Sequence, residues 1–225
     1  MVRGVLLDID GTLVRSNDEH AQAWSDALRH FGYEVPWMQI RRWIGMGGDK
    51  ILRRVDEKLN DAENPGAAIT ALRQEIFLRE YLGRLTPQPG ARELLEYFKE
   101  HSLQRVAATS ANRAELGAIL KAGGIADEID LATTSDDAER SKPDADIIES
   151  ALGKSKLSRD ETFYLGDTPY DVEAAHKAGM PVVALLCGGW GASDLSAAEA
   201  TYETPADFLR HFSEFIAQEF RDEGR

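Results

Sequence analysis

The chain has 225 residues, a length that allows one large domain or one domain carrying an insertion. Hydrophobic residues make up 43% and charged residues 29%, a globular mixture that excludes a disordered chain. The 26 Lys and Arg face 39 Asp and Glu, and a net charge of −13 repels phosphate backbones, which excludes nucleic acid as the main partner.

Residues 2–8 form a short apolar run that predicts a buried strand, ending in the polar string that starts at Asp8. Residues 17–31 have helical spacing, with Ala21, Trp24, Ala27, Leu28 and Phe31 on one face and Gly32 as a stop. Residues 37–43, 49–59 and 65–85 predict three further helices, and no strand alternation appears between 15 and 85. After Pro87 the rhythm changes. Helices are expected at 89–100, 112–122, 144–152 and 169–178, and strands at 105–108, 129–132, 162–165 and 182–186. Thr204 and Pro205 open a last helix, as cap and first residue, with Phe208, Leu209, Phe212, Phe215 and Ile216 as its apolar stripe.

Strands alternating with helices predict a doubly wound α/β fold with a parallel sheet and right-handed crossovers. The helical stretch interrupts that alternation after the first strand, as an inserted all-helical cap. The expected boundaries are 1–14 and 87–225 for the core and 15–86 for the cap. Within 15–86, eleven Lys and Arg balance eleven Asp and Glu, so the whole net charge resides in the core. The single cysteine, Cys187, excludes an internal disulfide and fits a reducing, cytoplasmic setting. No signal-peptide pattern opens the chain, and the longest mostly apolar stretch, 180–192, is broken by glycines and too short to span a bilayer.

Ligands of such sheets sit beyond the carboxyl ends of the strands. The first strand is followed there by Asp8-Ile9-Asp10-Gly11-Thr12 and the 105–108 strand by Thr109 and Ser110. Lys142-Pro143 precedes the next helix, and the 162–165 strand runs into Gly166-Asp167-Thr168-Pro169-Tyr170-Asp171. Carboxylates gathered at one edge repel one another unless a cation holds them, and an all-oxygen donor set favours Mg²⁺. No His or Cys cluster favours zinc. A carboxylate beside a phosphoryl group can serve as nucleophile, forming an aspartyl-phosphate. A second carboxylate can protonate the leaving oxygen and then activate water. Plain structural roles stand beside these: turn acids at Asp8 and Asp10, helix caps at Thr109 and Asp167, a surface lysine at Lys142, and a first-turn acid at Asp171.

These four motifs, in this order, resemble those of the haloacid dehalogenase-like (HAD) hydrolase superfamily, and the resemblance covers essentially the whole chain. The branch it resembles is that of helical-cap phosphatases, phosphoglycolate phosphatase or β-phosphoglucomutase-like, with a Rossmann-like core. The resemblance implies Mg²⁺-dependent hydrolysis of a small phosphorylated metabolite of the phosphoglycolate or sugar-phosphate type. It implies Asp8 as nucleophile and metal ligand, and Asp10 as acid/base whose backbone carbonyl also binds the metal. Thr109, Ser110 and Lys142 would hold the phosphoryl group. Asp167 would be a metal ligand, with Asp171 acting on the metal through water.

Cap residues His20, Gly47 and Lys50 are the candidates for substrate selectivity, with Arg73 as a further one. The glycine-rich stretch 45–48 could turn sharply over the site. No membrane partner is expected, and the assembly is expected to be a monomer or weak homodimer. A sugar phosphomutase shares the cap and the His20…Trp24 spacing, but its cap-loop arginine aligns with Gly48, leaving Lys50 or Arg53 to substitute. A phospho-accepting signalling domain would be about 120 residues long and would need no cap. A non-catalytic binding protein would not need chemically competent residues at every motif position.

Overall fold

Residues 1–220 are described by the computed structural model; residues 221–225, the end of the expected core segment, lie outside them. Strand β1 (Gly4–Leu7) is wholly buried and delivers Asp8 at its carboxyl end. The chain turns through Asp10–Leu13 into β2 (Val14–Arg15) and then enters a helical insertion. That insertion comprises α1 (Asn17–His30), α2 (Trp37–Trp43), α3 (Gly48–Val55) and α4 (Gly66–Ile76). A π-helical turn, Phe77–Tyr81, and a 3₁₀ turn, Leu82–Arg84, complete it. The chain leaves through β3 (Thr86–Pro87), which pairs antiparallel with β2.

The remainder alternates as expected: α5 (Ala91–Glu100), β4 (Gln104–Ala108), α6 (Arg113–Ala122), β5 (Leu131–Thr133), α7 (Asp146–Ser155), β6 (Thr162–Gly166), α8 (Pro169–Lys177) and β7 (Val182–Leu185). A short strand β8 (Ala200–Tyr202) and helix α9 (Pro205–Glu219) close the chain. Six strands pair in parallel in the order β5-β4-β1-β6-β7-β8. The chain winds outward from β1 through β4 and β5, then returns to its other side with β6. The crevice of such a switch lies beside β1.

Successive side chains of a strand point to opposite faces, and the core divides accordingly. Val5, Leu7, Phe163 and Leu165 pack with Phe98 of α5 and Phe208, Phe212 and Phe215 of α9. Leu6, Val106, Tyr164 and Val182 pack with α7 and α8 on the other side. In the insertion, Ala21, Trp24, Ala27 and Leu28 form the buried face of α1, which lies against α2, α4 and the π-helical turn.

Several helix ends differ from the sequence expectation. The helix expected over 65–85 is α4 followed by the two tighter and wider turns, which carry Phe77 and Tyr81 into the core. The helix expected to close at Gly153 continues to Ser155, because nothing crowds that glycine and a lone glycine costs a helix only about 1 kcal/mol. Strands β2, β3 and β8 were not expected; each is too short to show alternation. No helix among the described residues is long and apolar enough to cross a membrane.

Candidate active site

Every motif singled out in the sequence meets at the carboxyl edge of β1, β4 and β6. Gly11 makes this possible: its φ is +87°, and a Cβ there would lie 2.0 Å from Asn17 Nδ2 and 2.4 Å from Asp167 Oδ2. The turn therefore folds back tightly enough for Thr12 Oγ1 to donate to Asp167 Oδ1 at 2.8 Å, with Asp8 Oδ2 3.1 Å away. Asn17, at the start of α1, donates from Nδ2 to Asp167 Oδ2 at 2.9 Å.

Lys142 is fully buried and donates to Asp8 Oδ1 at 2.5 Å and to Asp171 Oδ1 at 2.8 Å. Burial alone would lower the lysine, but the Asp171 and Asp8 carboxylates outweigh it and hold the ammonium well above its usual range. Asp171 does more than face the lysine. Its Oδ2 accepts from the Thr168 hydroxyl at 2.7 Å and the Thr168 N–H at 3.0 Å, while Thr168 caps α8 in return. Tyr164 donates its hydroxyl to the Ala108 carbonyl at 3.0 Å, 3.2 Å from Asp171 Oδ1.

Carboxylate oxygens of Asp8, Asp167 and Asp171 lie within 4.8 Å of one another, all buried. Burial pushes Asp8 up to about 7, a rise eased by Lys142 and reinforced by Asp171 and Asp10. Burial and the neighbouring Asp8 and Asp171 carboxylates push Asp167 well above the carboxylate range. One ammonium does not neutralise this group, and a divalent cation would. The donor set is all oxygen, and the buried Asn17 Oδ1 has no partner among the described residues. These features fit Mg²⁺.

Asp10 turns the other way. Its Oδ1 accepts from Ser16 Oγ at 2.5 Å and lies 2.9 Å from His20 Nε2. Burial opposes its ionisation, but His20 and Ser16 outweigh that and hold the carboxyl below its usual value. The His20 ring is fixed by stacking on Phe77, 4.0 Å between centroids. Between Asp10 and the insertion lies a cavity of about 60 Å³, walled by Asp8, Asp10, His20, Thr109, Ser110 and apolar Trp24, Ile44, Met46 and Ile51. Thr109 Oγ1 accepts from the Ala111 N–H at 3.1 Å, while the buried Ser110 Oγ has no partner among the described residues.

Gly47 and Lys50, expected to touch the leaving group, do not line this cavity. Lys50 Nζ donates to the Ser141 carbonyl at 2.5 Å and to Asp144 Oδ2 at 2.6 Å. A Cβ on Gly47 would lie 2.2 Å from Ser141 Oγ, which itself donates to Asp49 Oδ1 at 2.6 Å. This stretch braces the insertion against the segment that carries Lys142. Lysine reaches carbonyls and carboxylates as readily as a ligand, and sequence does not distinguish these partners.

The family profile described as haloacid dehalogenase-like hydrolase matches residues 5–185. The chain belongs to the haloacid dehalogenase-like hydrolase family. A phosphoglycolate phosphatase of Yersinia pseudotuberculosis is 30% identical over 193 residues, covering 83% of this chain and 82% of that protein. A hydrolase from Pseudomonas syringae has a similar structure, with TM-score 0.87, 31% identity, and coverage of 94% of this chain and 98% of that one. A β-phosphoglucomutase from Clostridium difficile shares the fold, with TM-score 0.82 at 16% identity, over 96% of this chain and 100% of that one.

In this HAD hydrolase Ser16, Asn17, Tyr164, Glu115 and Gly188 also shape the site, and the sequence marks none of them as site residues. Gly188 lets its loop close on the acids: a Cβ there would lie 1.8 Å from Asp167 Oδ2. Asn17 and Ser16 stand one turn before His20, and a helix start aimed at the sheet edge was their available signal. Glu115 carried none beyond its place three residues after Asn112, whose side chain accepts from its N–H at 2.9 Å.

Proposed function

We propose that this chain is a Mg²⁺-dependent phosphatase of small phosphomonoesters of the phosphoglycolate or sugar-phosphate type, working through an aspartyl-phosphate on Asp8. The observation that carries this is the division of labour between two carboxylates two residues apart. Asp8 joins Lys142 and the buried acids, whereas Asp10 is held away from them by Ser16 and His20, facing the leaving-group side. This division supports a nucleophile at Asp8 and a proton donor at Asp10 acting on different sides of one reacting group.

Asp8, Asp167 and Asp171 would hold the ion, together with the Asp10 carbonyl, and the ion would neutralise charge on the phosphoryl oxygens. Lys142 adds a fixed positive charge in a site without bulk water, where it acts strongly. The unpartnered Ser110 hydroxyl offers a donor to a phosphoryl oxygen. Asp8 attacks phosphorus, and the bond to the leaving oxygen breaks. Asp10 takes up a proton from solvent as the dianionic ester binds beside it and delivers that proton to the leaving oxygen. The carboxylate so regenerated draws a proton from a water that attacks phospho-Asp8, releasing phosphate. His20 keeps the Asp10 carboxyl oriented through its 2.9 Å contact.

A mutase reading finds less support. Arg73 is the one Lys or Arg lining the cavity among the described residues, and it is already paired with Glu115. The test is hydrolysis of acetyl phosphate and a panel of phosphorylated metabolites with and without Mg²⁺. Asp8→Asn and chelation each abolish turnover, and undiminished activity in either case rejects the proposal.

A further inference from the structure

Arg73 and Glu115 meet across the gap between the two parts of the molecule. Arg73 belongs to α4 of the insertion and Glu115 to the first turn of α6, beside the sheet. Arg73 Nη1 donates to Glu115 Oε1, with the two side chains 11% and 1% exposed. Both line the cavity that holds Asp8 and Asp10. Glu115 Oε1 also lies 3.9 Å from His20 Nδ1.

The leaving-group end of the cavity is therefore electrically occupied before any substrate enters. Among the described residues, the one guanidinium lining it is engaged by a buried carboxylate whose other ionisable neighbour is His20. Arg73 nevertheless keeps a donor in reserve: Nε is buried and has no partner among the described residues, while the guanidinium lies 5.3 Å from the Trp24 ring centroid. A leaving group with a hydroxyl can approach the pair as donor to Glu115 or acceptor from Arg73 and leave it intact. A leaving group with a carboxylate must compete with Glu115 for the same guanidinium and sit beside a buried carboxylate, a like-charge juxtaposition that binding sites use to reject ligands.

We propose that the Arg73–Glu115 pair makes the cavity select uncharged, hydroxyl-bearing leaving groups over carboxylate-bearing ones of similar size. This rests on the phosphatase function above and narrows its substrate class. Glu115 acts as a specificity-determining residue together with Arg73, through the charge of the pair.

The experiment compares two esters matched in size, 2-hydroxyethyl phosphate and 2-phosphoglycolate, with acetyl phosphate as reference. The expected kcat/KM of the wild type is at least about tenfold higher for the neutral ester, since each tenfold corresponds to only about 1.4 kcal/mol of discrimination. Glu115→Gln removes the competing charge and releases Arg73. It is expected to shift the ratio of the two esters at least about fivefold toward 2-phosphoglycolate, chiefly through KM. A general structural defect would lower both esters together and leave the ratio alone. Wild-type preference for 2-phosphoglycolate overturns the proposal, as does an unchanged ratio in folded Glu115→Gln enzyme. If that variant does not fold, the wild-type ratio decides. Turnover of acetyl phosphate with neither two-carbon ester accepted overturns the substrate class and leaves the phosphatase function standing; failure on all three overturns both.

Discussion

Replacing Lys142 by methionine removes the positive charge between two buried carboxylates while keeping most of the side chain's length. Lys142 lies 2.5 Å from Asp8 and 2.8 Å from Asp171. At an effective dielectric near 20, unit charges at those separations attract by roughly 6 kcal/mol per pair. Much of that is offset by the cost of burying the ions, and removing one partner of such a pair costs about 3–5 kcal/mol net. For a chain of this size, that lowers Tm by roughly 10 °C. The loss depends on pH. Asp8 is raised to about 7 by burial, against the pull of Lys142, and without the ammonium it rises further. A carboxyl whose folded pKa exceeds its unfolded value contributes stability below the unfolded pKa and loses it as pH rises through the folded one. The deficit of Lys142→Met should therefore be smaller at pH 5 than at pH 8. Urea unfolding of both proteins in EDTA at those pH values measures it directly. A deficit independent of pH, or a variant as stable as the wild type at pH 8, refutes the uncompensated-carboxylate account.

Asp10→Asn keeps the backbone carbonyl but removes the proton relay, so kcat should fall about 10²–10⁴-fold while Mg²⁺ binding is nearly retained. A Mg²⁺ titration followed by thermal shift, run beside the kinetics, would assign the side chain a structural role if affinity fell in step with rate. Gly188→Ala places a methyl group 1.8 Å from Asp167 Oδ2, and the carboxylate must move. The Mg²⁺ needed for half-maximal activity should rise about tenfold or more with circular dichroism unchanged; a wild-type requirement would mean the loop yields instead.

The cluster was legible in the sequence because acids at strand ends and a lysine ahead of a helix have few neutral explanations when four motifs fall in order. Asp8, Asp10 and Asp167 needed only the strand positions to be placed together, and Lys142 the start of the following helix. What stayed hidden depends on partners distant in sequence. Arg73 and Glu115 are 42 residues apart, and each alone is an ordinary helix residue. Lys50 resembled a ligand-seeking cation for the same reason, until Ser141 and Asp144 stood opposite it. The ribbon of β2 and β3 has two residues per strand, one of them Pro87, which lacks the N–H a ladder uses. Strand β8 shows Ala-Thr-Tyr at the sheet edge, where half-exposed side chains erase the apolar signal.

That ribbon also makes the molecule modular. Val14 pairs with Pro87 and Arg15 with Thr86, so the chain departs and returns at neighbouring points about 5 Å apart. Any insert whose own ends lie one strand spacing apart could be spliced between them without altering the register of the six-stranded sheet. The joint stands within a few residues of Asp10, through the bridge between Asp10 and Val14. A graft made there would keep Asp8, Thr109 and Asp167 where β1, β4 and β6 put them, but it would have to bring its own replacements for Ser16, Asn17 and His20, which hold Asp10 and Asp167 from the insertion's first turns.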